Sequence, residues 1–178
     1  MSESNSSLFT PRRIALSGVV GAAYAALTLG AGVFGIAYGP IQCRVSEALT
    51  VLPFLFPETV PGLFVGCLIA NLLSPYGPLD IVFGSLATLL AALMTSRCGS
   101  QYLAPLPPVL CNMVLVGGVI AYAETGLGAA FPAAFAYNAV TVGIGEALSC
   151  YVLGLLLLRW LPKNRQLRAM AVQERLGQ

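Results

Sequence analysis

Long apolar segments with few charges dominate this sequence and restrict the folds that it can adopt. Only a few charged residues interrupt the stretch between Ile14 and Leu161. Charged residues make up 9% of the chain and hydrophobic residues 57%, and the mean hydropathy is +0.83. A water-soluble domain carries about a quarter of charged residues. The chain is therefore predicted to be an all-α, polytopic integral membrane protein.

Six segments of the sequence are predicted to cross the bilayer, since each span needs about 20 mostly apolar residues. The stretch 45–73 is too long for one span, and Pro57, Glu58 and Pro61 divide it into a short second helix and a third. The other predicted spans cover residues 14–37, 79–96, 106–123 and 132–161. The predicted organisation is an N-terminal tail over residues 1–12, a six-helix membrane domain over 13–161 and a basic tail over 162–178.

The basic residues predict the orientation of these spans. With six spans both termini lie on the same side of the membrane. Placing the termini in the cytoplasm puts eight basic residues inside and leaves Arg44 alone outside, which follows the positive-inside rule. The eight residues are Arg12, Arg13, Arg97, Arg159, Lys163, Arg165, Arg168 and Arg175. Both termini are therefore predicted to be cytoplasmic.

Several kinds of chemistry are excluded or disfavoured by residues that the sequence lacks. It contains no histidine, which excludes a Ser/His dyad and histidine metal sites. It contains no GxxxxGK[ST] loop, so the chain cannot hydrolyse a nucleotide by the P-loop route. The five cysteines are far apart and form no CxxC pair, which favours a role as small apolar residues. The sequence predicts no catalytic residue, no metal site and no cofactor.

Six polar residues within the predicted spans or at their ends are candidates for a ligand site. Ionisable residues inside a membrane are costly and usually functional. The candidates are Arg44, Glu47, Asn71, Asp80, Asn138 and Glu146. On an ideal helical wheel Asn138 and Glu146 differ by about 80 degrees, so both could border one cavity.

Structural roles for the same residues stay open. Arg44 and Glu47, at i and i+3, can form an ion pair with no other purpose. Asp80 can serve only as a helix N-cap. Glu146 has no basic residue at helical spacing, so a structural role would need a partner on another helix. Asn112 is interpreted as a hydrogen-bonding bridge between helices.

Most of these candidates lie in the predicted outer half of the bundle and are together acidic. Three carboxylates accompany one guanidinium. Such a site suits a small, flat, polar molecule that is cationic or rich in N–H donors. The ring N–H and amino group of a guanine-like edge would match one carboxylate through two hydrogen bonds.

Small residues at four-residue spacing indicate close helix packing, which drives association of helices in lipid. On the third and fourth predicted helices this spacing is interpreted as packing within the chain. The first helix carries Gly18, Ala22 and Ala26, with Gly21 and Ala25 beside them. Two adjacent stripes exceed what one neighbour requires, so one face is predicted to be available to another protein.

Four segments of the sequence resemble a known family. IQCRVSEALTVLPFLF, GLFVGCLIANLL and LDIVFGSLATLLAAL look like the QueT family of substrate-binding subunits (S components) of energy-coupling factor (ECF) transporters. GEALSCYVLG, near the end of the last predicted span, also resembles that family. The resemblance covers residues 12–161 and is strongest between Ile41 and Leu93.

The resemblance implies a function, partners and a location. It implies a six-helix S component in the bacterial cell membrane that captures a queuosine precursor, such as 7-aminomethyl-7-deazaguanine or a related deazapurine. Such subunits dock on a transmembrane coupling subunit joined to two ATPases, through small-residue motifs on the first helix. Ala22 and Ala26 fit the usual alanine-xxx-alanine form, whereas Gly18 and Gly21 depart from it. No nucleic-acid partner is implied.

Two other functions remain as alternatives. A membrane enzyme would use Glu47, Asp80 or Glu146, but the sequence lacks a histidine, a nucleophile elbow and a paired-aspartate motif. A self-contained proton-coupled carrier would use Glu146 as its proton site. We expect the S component to bind its ligand alone and to need partners for transport, whereas a carrier would transport alone.

Overall fold

The computed structural model describes residues 10–33 and 44–171 of the chain, and its elements in these ranges are all helical. The prediction of an all-helical chain is confirmed for this part. The predicted end of the first span, residues 34–37, most of the predicted N-terminal tail and the last part of the predicted basic tail, residues 172–178, lie outside the described residues.

The described residues of the first half of the chain form three α-helices and one longer 3₁₀ helix. α1 is the longest of them, and the 3₁₀ helix that follows contains Pro53, which cannot donate a backbone hydrogen bond. A short 3₁₀ turn, Pro57–Thr59, then leads into α2, whose Pro61 lies in the first helical turn where proline is tolerated. The bounds are Pro11–Val33 for α1, Val45–Phe54 for the 3₁₀ helix, Val60–Asn71 for α2 and Ser85–Thr95 for α3, which a π-helical turn, Asp80–Gly84, precedes.

The second half of the chain, as far as residue 171, contains two long helical stretches and a further short helix. α4 spans Leu106–Thr125, and α5 spans Phe131–Ala147. A π-helical turn, Leu148–Gly154, joins α5 to α6, Leu155–Trp160. α7, Arg165–Met170, lies within the predicted basic tail, and Asn164 caps it by accepting hydrogen bonds from two of its backbone N–H groups.

Three helices are long and apolar enough to cross a bilayer, by length and composition, among the described residues. They are Pro11–Gly32, Leu106–Thr125 and Phe131–Lys163. Val45–Phe54 and Asp80–Thr95 are apolar but shorter. The count of six spans and the orientation of the termini therefore stay predictions.

Glycines allow α1 and α2 to pack backbone against backbone. A Cβ added at Gly21 would lie 2.4 Å from the carbonyl oxygen of Gly62, and one at Gly66 would lie 2.3 Å from that of Gly21. The N–H of Gly62 donates a hydrogen bond of 3.0 Å to Ser17 Oγ. The predicted packing role of the small residues on the third span is thus observed against α1.

The 3₁₀ helix occupies the middle of the structure. It packs against α1, α3 and the π-helical turn Leu148–Gly154. Its last residue, Phe54, belongs to an apolar cluster with Phe56 and Leu158, against which Leu167 of α7 also packs. The elements around the 3₁₀ helix therefore bring distant parts of the sequence to its polar residues.

Candidate functional site

The six polar residues predicted to bind a ligand are all buried. None of Arg44, Glu47, Asn71, Asp80, Asn138 and Glu146 is more than 6% exposed. Polar groups buried this completely normally make hydrogen bonds within the protein. Their partners therefore show which of the six belong together.

Asp80 lies at one end of a connected group of polar residues. Arg44 Nη2 lies 3.8 Å from Asp80 Oδ2, and the Ser74 hydroxyl donates a hydrogen bond of 2.5 Å to the same oxygen. Asn71 Nδ2 donates to the backbone carbonyl of Asp80 at 3.1 Å. A Cβ added at Gly84 would lie 2.7 Å from both Asn71 Nδ2 and Asp80 Oδ1. Asp80 thus has a charged partner from a separate segment in addition to the Ser74 hydroxyl.

Glu47 lies in the centre of the group, on the 3₁₀ helix. The Tyr24 hydroxyl of α1 donates a hydrogen bond to Glu47 Oε1 and also lies 3.5 Å from Cys67 Sγ. Arg44 attracts the Glu47 carboxylate as well, although its ion pair within 4 Å is with Asp80. Arg44 therefore attracts Glu47, as their i, i+3 spacing predicted, but it lies closer to Asp80 in the π-helical turn before α3.

Cys67 of α2 connects the Glu47 end to the Asp80 end. Its sulfur accepts hydrogen bonds from Asn71 Nδ2 at 3.4 Å and from Thr88 Oγ1 at 3.2 Å, in addition to the Tyr24 contact. The residue is 1% exposed. The thiol is thus packed among polar groups of three helices, and not only among apolar side chains.

Glu146 joins the group from the other side of Glu47. The Cys150 thiol donates to the backbone carbonyl of Glu47 at 3.4 Å and lies 3.8 Å from Glu146 Oε2. The Asn112 amide interacts with both carboxylates, although no described group accepts a hydrogen bond from its Nδ2. Arg44, Glu47, Asn71, Asp80 and Glu146, with their contacts to Tyr24, Cys67, Asn112 and Cys150, are called the polar cluster below.

Asn138 lies outside the polar cluster. Its Nδ2 donates to Glu124 Oε2 at 2.8 Å and to the Ala134 carbonyl at 3.0 Å. Within the described ranges, no hydrogen bond or ion pair connects Asn138 with Glu47, Asp80 or Glu146. Its predicted ligand contact stays a prediction, and its observed side-chain partner is Glu124.

Three of the contributing residues were missed or judged apolar from the sequence. Tyr24 gives the clearest signal, because it lies in the middle of an apolar span and not at its end, where interfacial tyrosines occur. Cys67 and Cys150 give no signal of their own, since lone buried cysteines are usually apolar packing residues. Only the fold brings them to the carboxylates.

Five buried polar atoms of this region have no hydrogen-bond partner among the described residues. Such an atom costs about 1–3 kcal/mol, so a cluster of them needs an explanation. Four are acceptors or hydroxyl oxygens and one is a donor. They are Glu47 Oε2, Asp80 Oδ1, Asn71 Oδ1, Ser85 Oγ and Asn112 Nδ2.

The charges of the polar cluster do not balance. Glu47, Asp80 and Glu146 supply three carboxylates, whereas Arg44 supplies the single positive charge in the cluster. No group of three or more metal-binding side chains occurs in the part of the chain that the structure describes. The cluster is therefore suited to an organic molecule that offers N–H donors and positive charge.

The two stripes of small residues on α1 face different surroundings. Gly18, Ala22 and Ala26 are exposed, whereas Gly21 and Ala25 are buried. A groove of about 700 Å³, lined mostly by apolar atoms of α1 and α2, runs beside Gly18 and Ala22. The stripe that was predicted to meet another protein is therefore open on the isolated chain.

Comparisons with known proteins identify a family for most of this sequence. Residues 14–163 match the family model described as QueT transporter. The chain is also 39% identical over 88 residues to the queuosine precursor transporter QueT of Lactococcus lactis subsp. cremoris (strain MG1363). That alignment covers 47% of this chain and 52% of the relative, so the match spans about half of each. No solved structure matches the chain.

Proposed function

Because the chain belongs to the QueT transporter family, we propose that it captures a queuosine precursor and passes it across the membrane. The ligand would be 7-aminomethyl-7-deazaguanine or a related deazapurine. The observation that carries this proposal is the set of buried polar atoms without partners. Membership of a transporter family also supports transport, and not catalysis, as the role of this chain.

The chemistry of a deazaguanine complements the polar cluster. Its ring N–H and amino group are donors for the unpartnered oxygens of Glu47, Asp80 and Asn71. Its carbonyl is an acceptor for Asn112 Nδ2. Hydrogen bonds to charged groups contribute about 1.5–3 kcal/mol each, so a few of them give tight and selective binding.

We further propose that the chain is the S component of an ECF transporter. In this arrangement the exposed stripe of Gly18, Ala22 and Ala26 docks on a transmembrane coupling subunit that is joined to two ATPases. Two observations support this partner. The stripe is open on the isolated chain, and the chain contains no P-loop with which to use ATP itself.

A pair of assays tests this function. The purified chain, without partners, is expected to bind 7-aminomethyl-7-deazaguanine in titration calorimetry. Uptake into vesicles is expected only when the coupling subunit and both ATPases are present. Absence of binding by the purified chain would contradict ligand capture, and uptake by the chain alone would instead identify the proton-coupled carrier.

We also propose that the protein lies in the bacterial cell membrane with both termini in the cytoplasm. Leu127, which is 82% exposed between α4 and α5, then faces outward, and Gly99, between α3 and α4, faces inward. In intact cells an impermeant thiol reagent is expected to label Leu127→Cys above the level of the parent, and Gly99→Cys only after the cells are opened. The reverse pattern would overturn the orientation.

A further inference from the structure

The carboxylates of the polar cluster differ in how well the protein itself compensates them. Asp80 has the Arg44 guanidinium and the Ser74 hydroxyl as partners. One oxygen of Glu47 accepts a hydrogen bond from the Tyr24 hydroxyl. Glu146 has the Cys150 thiol at 3.8 Å, a weak donor, and the neutral Asn112 amide beside it. Among the described residues Glu146 thus has neither an ion pair like that of Asp80 nor a hydroxyl donor like that of Glu47.

The surroundings of Glu146 make this lack of compensation more severe. Its side chain is buried, with 4% of the residue exposed, and the neighbouring Glu47 carboxylate repels it. Two residues that interact with Glu146 each have a buried atom without a partner among the described residues, Glu47 Oε2 and Asn112 Nδ2. Two nearby carboxylates in a buried site are stable in their charged forms only if a positive charge comes close to them.

Among the described residues, Arg44 is the one that brings a positive charge near this end of the cluster. Arg44 attracts Glu146, but its ion pair within 4 Å is with Asp80 at the opposite end of the cluster. A metal ion is a poor candidate, because no group of three metal-binding side chains occurs in residues 10–33 and 44–171. A ligand ammonium supplies one charge and three donors, which suits two carboxylates at once.

We propose that Glu146, beside Glu47, is a subsite for the ammonium group of the ligand and makes the protein select a cationic deazapurine over a neutral one. This inference rests on the proposed function, since it concerns the same site. The Asp80 end, with Asn71, binds the edge of the ring that both kinds of ligand share. Glu146 is then the residue that distinguishes them.

Two probes that differ at one substituent test the subsite. 7-Aminomethyl-7-deazaguanine carries an ammonium group at neutral pH, whereas 7-cyano-7-deazaguanine is neutral and has the same ring edge. Titration calorimetry on the purified full-length chain is expected to show that Glu146→Gln weakens binding of the aminomethyl compound by about 10- to 100-fold. Binding of the cyano compound is expected to change by less than about threefold, because it makes no charge-assisted bond to Glu146.

Controls separate the subsite from general damage to the protein. Glu58→Gln removes a buried acid that pairs with Arg13 outside the polar cluster, and it is expected to affect neither ligand. The wild-type chain is expected to prefer the aminomethyl compound by about 10- to 100-fold, a result that depends on no variant. Equal weakening of both ligands by Glu146→Gln, no weakening of either, or equal wild-type affinities would overturn the subsite while leaving ligand capture intact. If wild type binds neither compound, the proposed function itself fails.

Discussion

The two sides of α1 carry similar small residues and yet have different surroundings. Gly21 lies against the backbone of α2, and Tyr24 and Thr28 on the same side reach the polar residues of the 3₁₀ helix. Gly18 and Ala22, on the other side, contact no such neighbour and remain exposed. The comparison teaches that small-residue spacing alone does not show which stripe packs within the chain, since of these two stripes only the one with Gly21 lies against a neighbouring backbone. α1 also connects the proposed docking face to the polar cluster across the width of a single helix.

The largest effect is expected when the exposed side of α1 is filled. Ala22→Trp should weaken docking on the coupling subunit by about 100-fold or more, which is about 2.7 kcal/mol, because the indole prevents close approach of two helices. Co-purification with the coupling subunit and the ATPases measures this loss. Ligand binding by the purified variant should be unchanged.

A tryptophan elsewhere on α1 provides the matched control. Leu27 is 41% exposed and lies about 140 degrees around the helix from Ala22. Leu27→Trp is therefore expected to leave docking intact. If Ala22→Trp instead abolished ligand binding together with docking, the exposed stripe would have to pack inside the bundle.

A smaller effect is expected when the buried side is filled. Gly21→Ala would place a Cβ 2.4 Å from the Gly62 carbonyl oxygen, and separating two backbones costs about 1–3 kcal/mol or more. Thermal unfolding in detergent measures the loss. Gly18→Ala is the control, since a Cβ there meets nothing within 4 Å and alanine favours the helix. Equal stability of the two variants would mean that α1 and α2 are not packed this closely.

The smallest effect is expected from a polar contact on the buried side. The Thr28 hydroxyl donates to Ser46 Oγ at 2.7 Å. Thr28→Val removes this bond and should lower the free energy of unfolding by about 0.5–1.5 kcal/mol. Thr141→Val is the comparison, because that hydroxyl bonds a carbonyl of its own helix. A loss at Thr28 no greater than that at Thr141 would show that the contact between α1 and the 3₁₀ helix contributes little.

The sequence was sufficient to predict those features that depend on local pattern. Hydropathy predicted helices, the prolines predicted the break between the 3₁₀ helix and α2, and long motifs predicted the QueT family, which the family comparison confirms. Burial of Glu47, Asp80 and Glu146 was also predictable, because a carboxylate inside an apolar span faces the interior of the bundle and not the lipid.

The remaining features depend on contacts between distant residues. Tyr24 reaches Glu47 across 23 positions, and Cys150 reaches its carbonyl across 103. Helical periodicity describes one helix and carries no information about which helix lies opposite. For the same reason it could not separate Asn138, which bonds Glu124 across 14 positions, from the cluster that contains Glu146.

The central claim is that the polar cluster binds the ligand and is not there merely to hold the helices together. Glu47→Gln tests it most directly. The glutamine side chain keeps an oxygen that can accept the hydrogen bond from the Tyr24 hydroxyl, but it lacks the negative charge that Oε1 and Oε2 of the carboxylate share. Calorimetry with 7-aminomethyl-7-deazaguanine should show affinity reduced by about one to two decades, or about 1.5–3 kcal/mol, while the ligand-free variant unfolds at nearly the wild-type temperature. Unchanged affinity together with a clear loss of ligand-free stability would contradict the claim and make Glu47 a structural residue.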